Sequence, residues 1–105
     1  MTTTSGRLLR LRGASGLQDG MADILLHSLG IQKRAGKWST GGWRNHYSTS
    51  PDTDSFTPCK VLEVGGWLKG FASQSYDGEV WTFSVTEAGI SALRLAGFKV
   101  ETGAP

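Results

Sequence analysis

Hydrophobic positions recur with a regular period in four stretches of the chain, and the middle of the chain has no period at all. Met21, Ile24, Leu25 and Leu29 stand three and four apart, the spacing that gathers apolar side chains on one helix face. This predicts a first helix from Leu17 or Gly20 to Leu29. Asp19 suits its start, because a carboxylate accepts the free amides of a first turn. Gly30 suits its end, with Ile31 folding back on the last turn. Phe56, Val61, Leu62 and Val64 predict a second helix over Ser55–Val64, with Pro58 in the first turn, where a missing amide costs nothing. Gly65-Gly66 closes it. Ile90, Leu93 and Ala96 predict a third helix over Glu87–Ala96, capped by Thr86, with Glu87 favoured by the helix dipole. Gly97-Phe98 repeats the Gly30-Ile31 stop.

Between the second and third helices the period changes from helical to two. Trp67–Gln74 and Val80–Val85 alternate, and Asp77-Gly78 between them is a strong two-residue hairpin signal. A turn on that pair sets Gln74 opposite Trp81, Ala72 opposite Phe83 and Gly70 opposite Val85. Trp81, Phe83 and Val85 then share one face with Leu68, and the small partners leave room for large rings.

The stretch QKRAGKWSTGGWRNHYSTSPDTD, Gln32 to Asp54, carries neither period. A loop this long within a compact domain is uncommon and often functional. Trp43–Ser48 is its best place for a short strand. Near the start, LLRLR (Leu8 to Arg12) alternates and suits an added edge strand within an otherwise mobile tail of residues 1–16. Residues 99–105 read as a second loose tail. The expectation is an α+β domain over residues 17–98, three helices packed on a C-terminal hairpin with a long irregular loop after the first helix.

Composition adjusts this picture in three places. Glycine supplies 15 of 105 residues, about twice the usual ~7%, which favours turns and close backbone approaches. The single cysteine, Cys59, excludes an internal disulfide and fits a reducing compartment. No apolar run approaches the ~18 residues of a membrane span, and MTTTSGRLLRLRGASG lacks the apolar segment of a secretory signal. A cytoplasmic protein without a membrane partner is expected. Charge is segregated: residues 1–44 hold seven bases against two acids, and residues 45–105 hold four bases against seven acids. A basic half of this kind suits a polyanion.

The candidate binding residues lie mostly in the long loop. Arg34, Lys37 and Arg44 join Arg7, Arg10, Arg12 and Lys33 as phosphate-neutralising bases, and Trp38 and Trp43 are interleaved with them as stacking or anchoring rings. Asn45 and His46 complete the polar cluster Arg44-Asn45-His46, whose structural reading is loop anchoring by hydrogen bonds to backbone. Lys60 is the one base of the second helix. Cys59 and His46 lack any arrangement that would make a nucleophile, and a lone cysteine at a helix start reads as a small buried hydrophobe. His46, Asp52, Asp54 and Cys59 match no tight zinc spacing. Gly41-Gly42 lacks the strand-to-helix setting of a phosphate cradle. No enzyme, cofactor or metal is expected.

The run VLEVGGWLKGFASQSYDGEVWTFSVTEAG resembles the last half of a winged-helix domain of the MarR or ArsR kind. The resemblance rests on a helix ending in glycine before Trp67-Leu68-Lys69, an Asp77-Gly78 wing tip, and Thr86-Glu87-Ala88-Gly89 at the next helix start. It implies a winged-helix-like, DNA-binding regulator. The pieces LLHSLGI, WRNHY, Gly66-Trp67-Leu68 and FSVTEAG resemble a group of short phage and prophage proteins, which implies such an origin. The expected function is therefore non-catalytic nucleic-acid binding, with protein–protein interaction, as an inhibitor or modulator of a host protein complex, as the alternative.

Overall fold

The computed structural model describes residues 7–11, 13, 20–42, 44–76 and 78–101. In chain order these form α1 (residues 7–11 and 13), α2 (Met21–Ser28), β1 (Lys33–Arg34), β2 (Lys37–Trp38), β3 (Tyr47–Thr49), α3 (Phe56–Val64), β4 (Leu68–Ser75), β5 (Gly78–Val85) and α4 (Glu87–Leu95). The fold is α+β with two small antiparallel sheets. One is the β1–β2 ribbon; the other has the strand order β3-β5-β4.

Helices α2, α3 and α4 end in the same way. Gly30, Gly66 and Gly97 adopt φ of 77°, 87° and 103°, a region that costs a side chain dearly. The residue after each glycine then returns its amide to a carbonyl five residues earlier: Ile31 to Leu26 at 2.9 Å, Trp67 to Leu62 at 2.9 Å and Phe98 to Leu93 at 3.0 Å. This satisfies the orphan carbonyls and turns an apolar residue back onto the helix. Ile31 and Phe98 are buried and Trp67 is partly so. The start of α4 is also as expected, with the Gly89 amide donating to Thr86 Oγ1 at 3.2 Å. At α2 the capping position is Gly20, which offers no side-chain bond, and Asp19 lies outside the described residues.

The inner face of β5 organises the core. Phe83 is fully buried and Val85 nearly so, while Trp81 is half-buried and stacked on Phe83 at 5.9 Å. Phe56 of α3 meets both rings edge-on, at 5.8 Å and 6.4 Å. The hairpin register differs from expectation by two residues: Ser75 faces Gly78, Ala72 faces Trp81, Gly70 faces Phe83 and Leu68 faces Val85. Gly78 at φ 121° is thus the first residue of the return strand. Because side chains alternate with period two, this offset keeps every face as predicted. The small partner of the large ring is Gly70, where an added Cβ would stand 2.4 Å from Phe83 Cε1.

Four expectations are corrected. Residues 7–11 are helical, neither strand nor loose tail. Leu8 and Leu11, three apart, turn to the core, Leu11 is fully buried, and Leu9 stays outside. Residues 99–101 of the expected second tail are fastened as well, and residues 102–105 lie outside the described residues. Val100 is buried and forms a parallel bridge with Gly41, the Gly41 amide donates to Lys99 O at 2.9 Å, and the Glu101 amide donates to Gly41 O at 2.9 Å. On α3, Val61 and Val64 face solvent, and the buried positions are Cys59 and Leu62. The loop after α2 is partly regular: a short strand does form near its expected place, with β3 paired to β5 through Tyr47–Phe83 and Thr49–Trp81, and the unexpected β1–β2 ribbon precedes it.

Candidate nucleic-acid interface

The β1–β2 ribbon turns through Ala35 and Gly36, at φ 52° and 79°. Two successive positive φ values match the right-handed twist of a two-residue hairpin. The base of the ribbon is tied by Ser39, whose amide donates to Gln32 O at 2.7 Å and whose Oγ accepts the Gln32 amide at 2.8 Å. The register places Arg34 opposite Lys37 and Lys33 opposite Trp38. The Arg34 guanidinium is engaged within the ribbon, donating to Gln32 Oε1 through Nε at 3.2 Å and Nη2 at 3.0 Å.

Lys37 does not act with the ribbon alone. It lines a concavity of about 270 Å3 with Arg7 from α1 and Lys99 from the C-terminal segment, together with Trp38, Ser39 and Thr40. Among the described residues no carboxylate lines it. Arg7 reaches it because α1 lies against the end of α4, where a Cβ on Gly97 would stand 3.2 Å from Arg10 Nη2 and 3.3 Å from Arg7 Cγ. Two guanidinium groups at a helix C-terminus are also favoured by its dipole. Trp38 packs edge-on against Phe98 with centroids 5.1 Å apart, and its buried indole N–H has no acceptor among the described residues. Trp38 is therefore half core residue and half wall of the basic concavity.

The other predicted residues are placed elsewhere. Arg44 donates through Nε to His27 O at 3.1 Å, and through Nη2 to the same carbonyl. Asn45 acts as a short extra strand: Val85 N donates to its Oδ1 at 2.7 Å and its Nδ2 donates to Val85 O at 3.1 Å. His46 is exposed beside them and its amide donates to Ser28 O at 3.1 Å. Lys60 donates to Glu63 Oε1 at 2.7 Å and lies 4.3 Å from the Trp81 ring centroid. Glu63 in turn accepts the Gly70 amide at 3.0 Å, and the Lys60 hydrogen bond holds its carboxyl below the usual range. Trp43 lies outside the described residues. Of the eight residues singled out in the sequence, Lys37 and Trp38 line the concavity, and Arg34 is bonded to Gln32 outside it.

Sequence reasoning missed Lys99 as a site residue, because the segment carrying it read as a tail. The alternation of Phe98 and Val100 around it was the available signal. Arg7 was legible only as one base among many, since nothing local says that residue 7 reaches residue 37.

A larger open groove of about 440 Å3 runs between α2, β3 and the start of α3, over Ile24, Tyr47 and Pro58. Asp23 and Asp54 line it, so it is unsuited to phosphate. Burial raises the Cys59 thiol from 9.0 to about 11, so the sulfur is a protonated core atom at neutral pH. No described helix is long and apolar enough to cross a membrane, and no group of three His, Cys, Asp or Glu among the described residues is placed to hold a metal. The chain matches no family model, no curated protein and no solved structure.

Proposed function

We propose that this protein is a small, non-catalytic nucleic-acid-binding protein of winged-helix-like descent, of phage or prophage type, that holds phosphate on the Arg7–Lys37–Lys99 face. The observation that carries the reading is the convergence of these three bases, from α1, β2 and the C-terminal segment, on one concavity that no acid lines among the described residues. The order of α3, β4, β5 and α4 agrees with the helix–wing–helix arrangement that the sequence resemblance implies.

The contact surface differs from the one that resemblance would suggest. Lys60 of α3 is occupied by Glu63 and Trp81, and the outer side of α3 presents Val61 and Val64. The hairpin tip offers Tyr76, fully exposed, and Glu79, which accepts a hydrogen bond from Trp81 Nε1 at 2.8 Å. Neither attracts a phosphate. The wing then serves as core support, and the basic concavity makes the contact.

Three neutralised phosphates predict a log–log salt slope near −3 for duplex DNA, each base contributing about −0.9. Fluorescence anisotropy against a generic duplex at several salt concentrations measures it. Changing Lys37 or Lys99 to Ala should remove about one unit of slope each, while Lys69→Ala, on β4, should leave it unchanged. A slope near zero for the parent protein, or one indifferent to Lys37 and Lys99, ends the reading.

The exposed Val61 and Val64 favour a second reading, a protein partner seated on α3. Its mark is a complex that survives nuclease and high salt and is lost on Val64→Asp.

A further inference from the structure

We propose, building on the nucleic-acid-binding reading, that the Arg7–Lys37–Lys99 concavity is a seat for a terminal phosphate monoester of a strand rather than for internal phosphodiesters. The first argument is shape. A continuous backbone presents evenly spaced charges along a line and is best met by bases strung along an open surface. Here three bases from three separate elements face one concavity of about 270 Å3. That volume admits one tetrahedral oxyanion with its ester group.

Charge gives the second argument. An internal phosphodiester carries one negative charge, whereas a phosphate monoester carries about 1.5 to 2 at neutral pH. The concavity gathers three cations, and among the described residues none of Arg7, Lys37 or Lys99 has a carboxylate partner. Bases crowded in this way repel one another, and the anion that best relieves them is the more highly charged one.

The third argument is the supply of neutral donors. A monoester exposes three terminal oxygens, more acceptors than the two free oxygens of a diester. Thr40 belongs to the same wall and carries a hydroxyl. The wall is also prearranged: Trp38 is wedged on Phe98, and Lys99 is held by the hydrogen bond between its carbonyl and Gly41. A seat that needs little ordering discriminates well between ligands of similar shape.

The test compares short single-stranded oligonucleotides of one sequence, bearing a 5′-phosphate, a 3′-phosphate or hydroxyls at both ends, with fluorescein at the end not being varied. Anisotropy titration of the whole protein should show binding about tenfold tighter for at least one phosphorylated form than for the hydroxyl form, as expected for charge-assisted contacts. Changing Lys37 and Lys99 together to Gln should bring the phosphorylated oligonucleotide to the hydroxyl level, and Thr40→Val should remove part of the preference. Circular dichroism melts of each variant confirm that the fold is retained. Equal binding of all three forms, with the salt slope intact, overturns this inference and leaves the nucleic-acid reading standing. Absence of binding to any form overturns both. Thermal stabilisation by inorganic phosphate, above chloride at matched ionic strength, with no oligonucleotide bound, assigns the seat to free phosphate and also overturns the strand-end proposal.

Discussion

Cys59 shows how far one residue's chemistry is decided by its packing. It is fully buried beside Leu62 in the first half of α3, and that burial lifts the thiol from 9.0 to about 11. The folded value lies above the unfolded one, so the associated stability is whole below pH 9 and is lost as pH rises from 9 toward 11. Urea unfolding at ~pH 8 and ~pH 10.5 should show an alkaline loss in the parent protein that is smaller in Cys59→Ala by roughly 1–2 kcal/mol. An identical alkaline loss in both would mean that the thiol titrates normally. The same reasoning separates the loop residues. Arg44, Asn45 and Lys37 look alike in the sequence as polar groups in an aperiodic stretch. Arg44 and Asn45 spend their polar atoms on the His27 carbonyl and the end of β5, while Lys37 lines the concavity. That distinction depends on partners 17 and 40 positions away, which no local pattern contains.

Elements whose signals are local were legible. Each of the three expected helices is present, and each stop at a glycine followed by an apolar residue was readable because the motif is complete within one turn. The hairpin faces were also legible, although its register was not: Asp77-Gly78 is a strong turn pair, yet the pairing begins at Ser75 and Gly78. What could not be read was order imposed from outside an element. The β1–β2 ribbon turns on Ala35-Gly36, and alanine is a poor signal for a residue at positive φ. α1 was misread because Leu-Leu-Arg-Leu-Arg satisfies both a strand period and the three-residue spacing of Leu8 and Leu11; the burial of Leu11 decides between them. Leu11→Ala should therefore cost about 2–5 kcal/mol in urea unfolding, while Leu9→Ala on the outer side changes stability by less than ~0.5 kcal/mol. Equal, small effects would return residues 7–11 to the status of a tail.

The basic face belongs to the molecule as a whole. Its bases come from residues 7, 37 and 99, so it exists only when both ends of the described chain close on the middle. Charge segregation along the sequence hinted at a basic side, but Lys99 comes from the acid-rich half, and Arg44, from the basic half, is spent elsewhere. The closure runs through Gly41 and Gly42. Gly41 bridges Val100, and the Gly42 amide donates to Leu29 O at 2.8 Å, which fixes the strand segment between Lys37 and the end of α2. Gly42 sits at φ 102°, and a Cβ there would stand 1.9 Å from Glu101 O. Gly42→Ala removes no charge and touches no base, yet it must push the Lys99–Glu101 segment away or unwind the backbone. It should cost at least ~2 kcal/mol of stability. At temperatures where the variant remains folded, it should also weaken oligonucleotide binding while the salt slope falls by about one unit, the share of a displaced Lys99. Thermal unfolding together with anisotropy measures both. A destabilised variant that binds with the parent's slope would show that Lys99 is not held in the concavity by this closure, and the three-segment origin of the face would have to be abandoned.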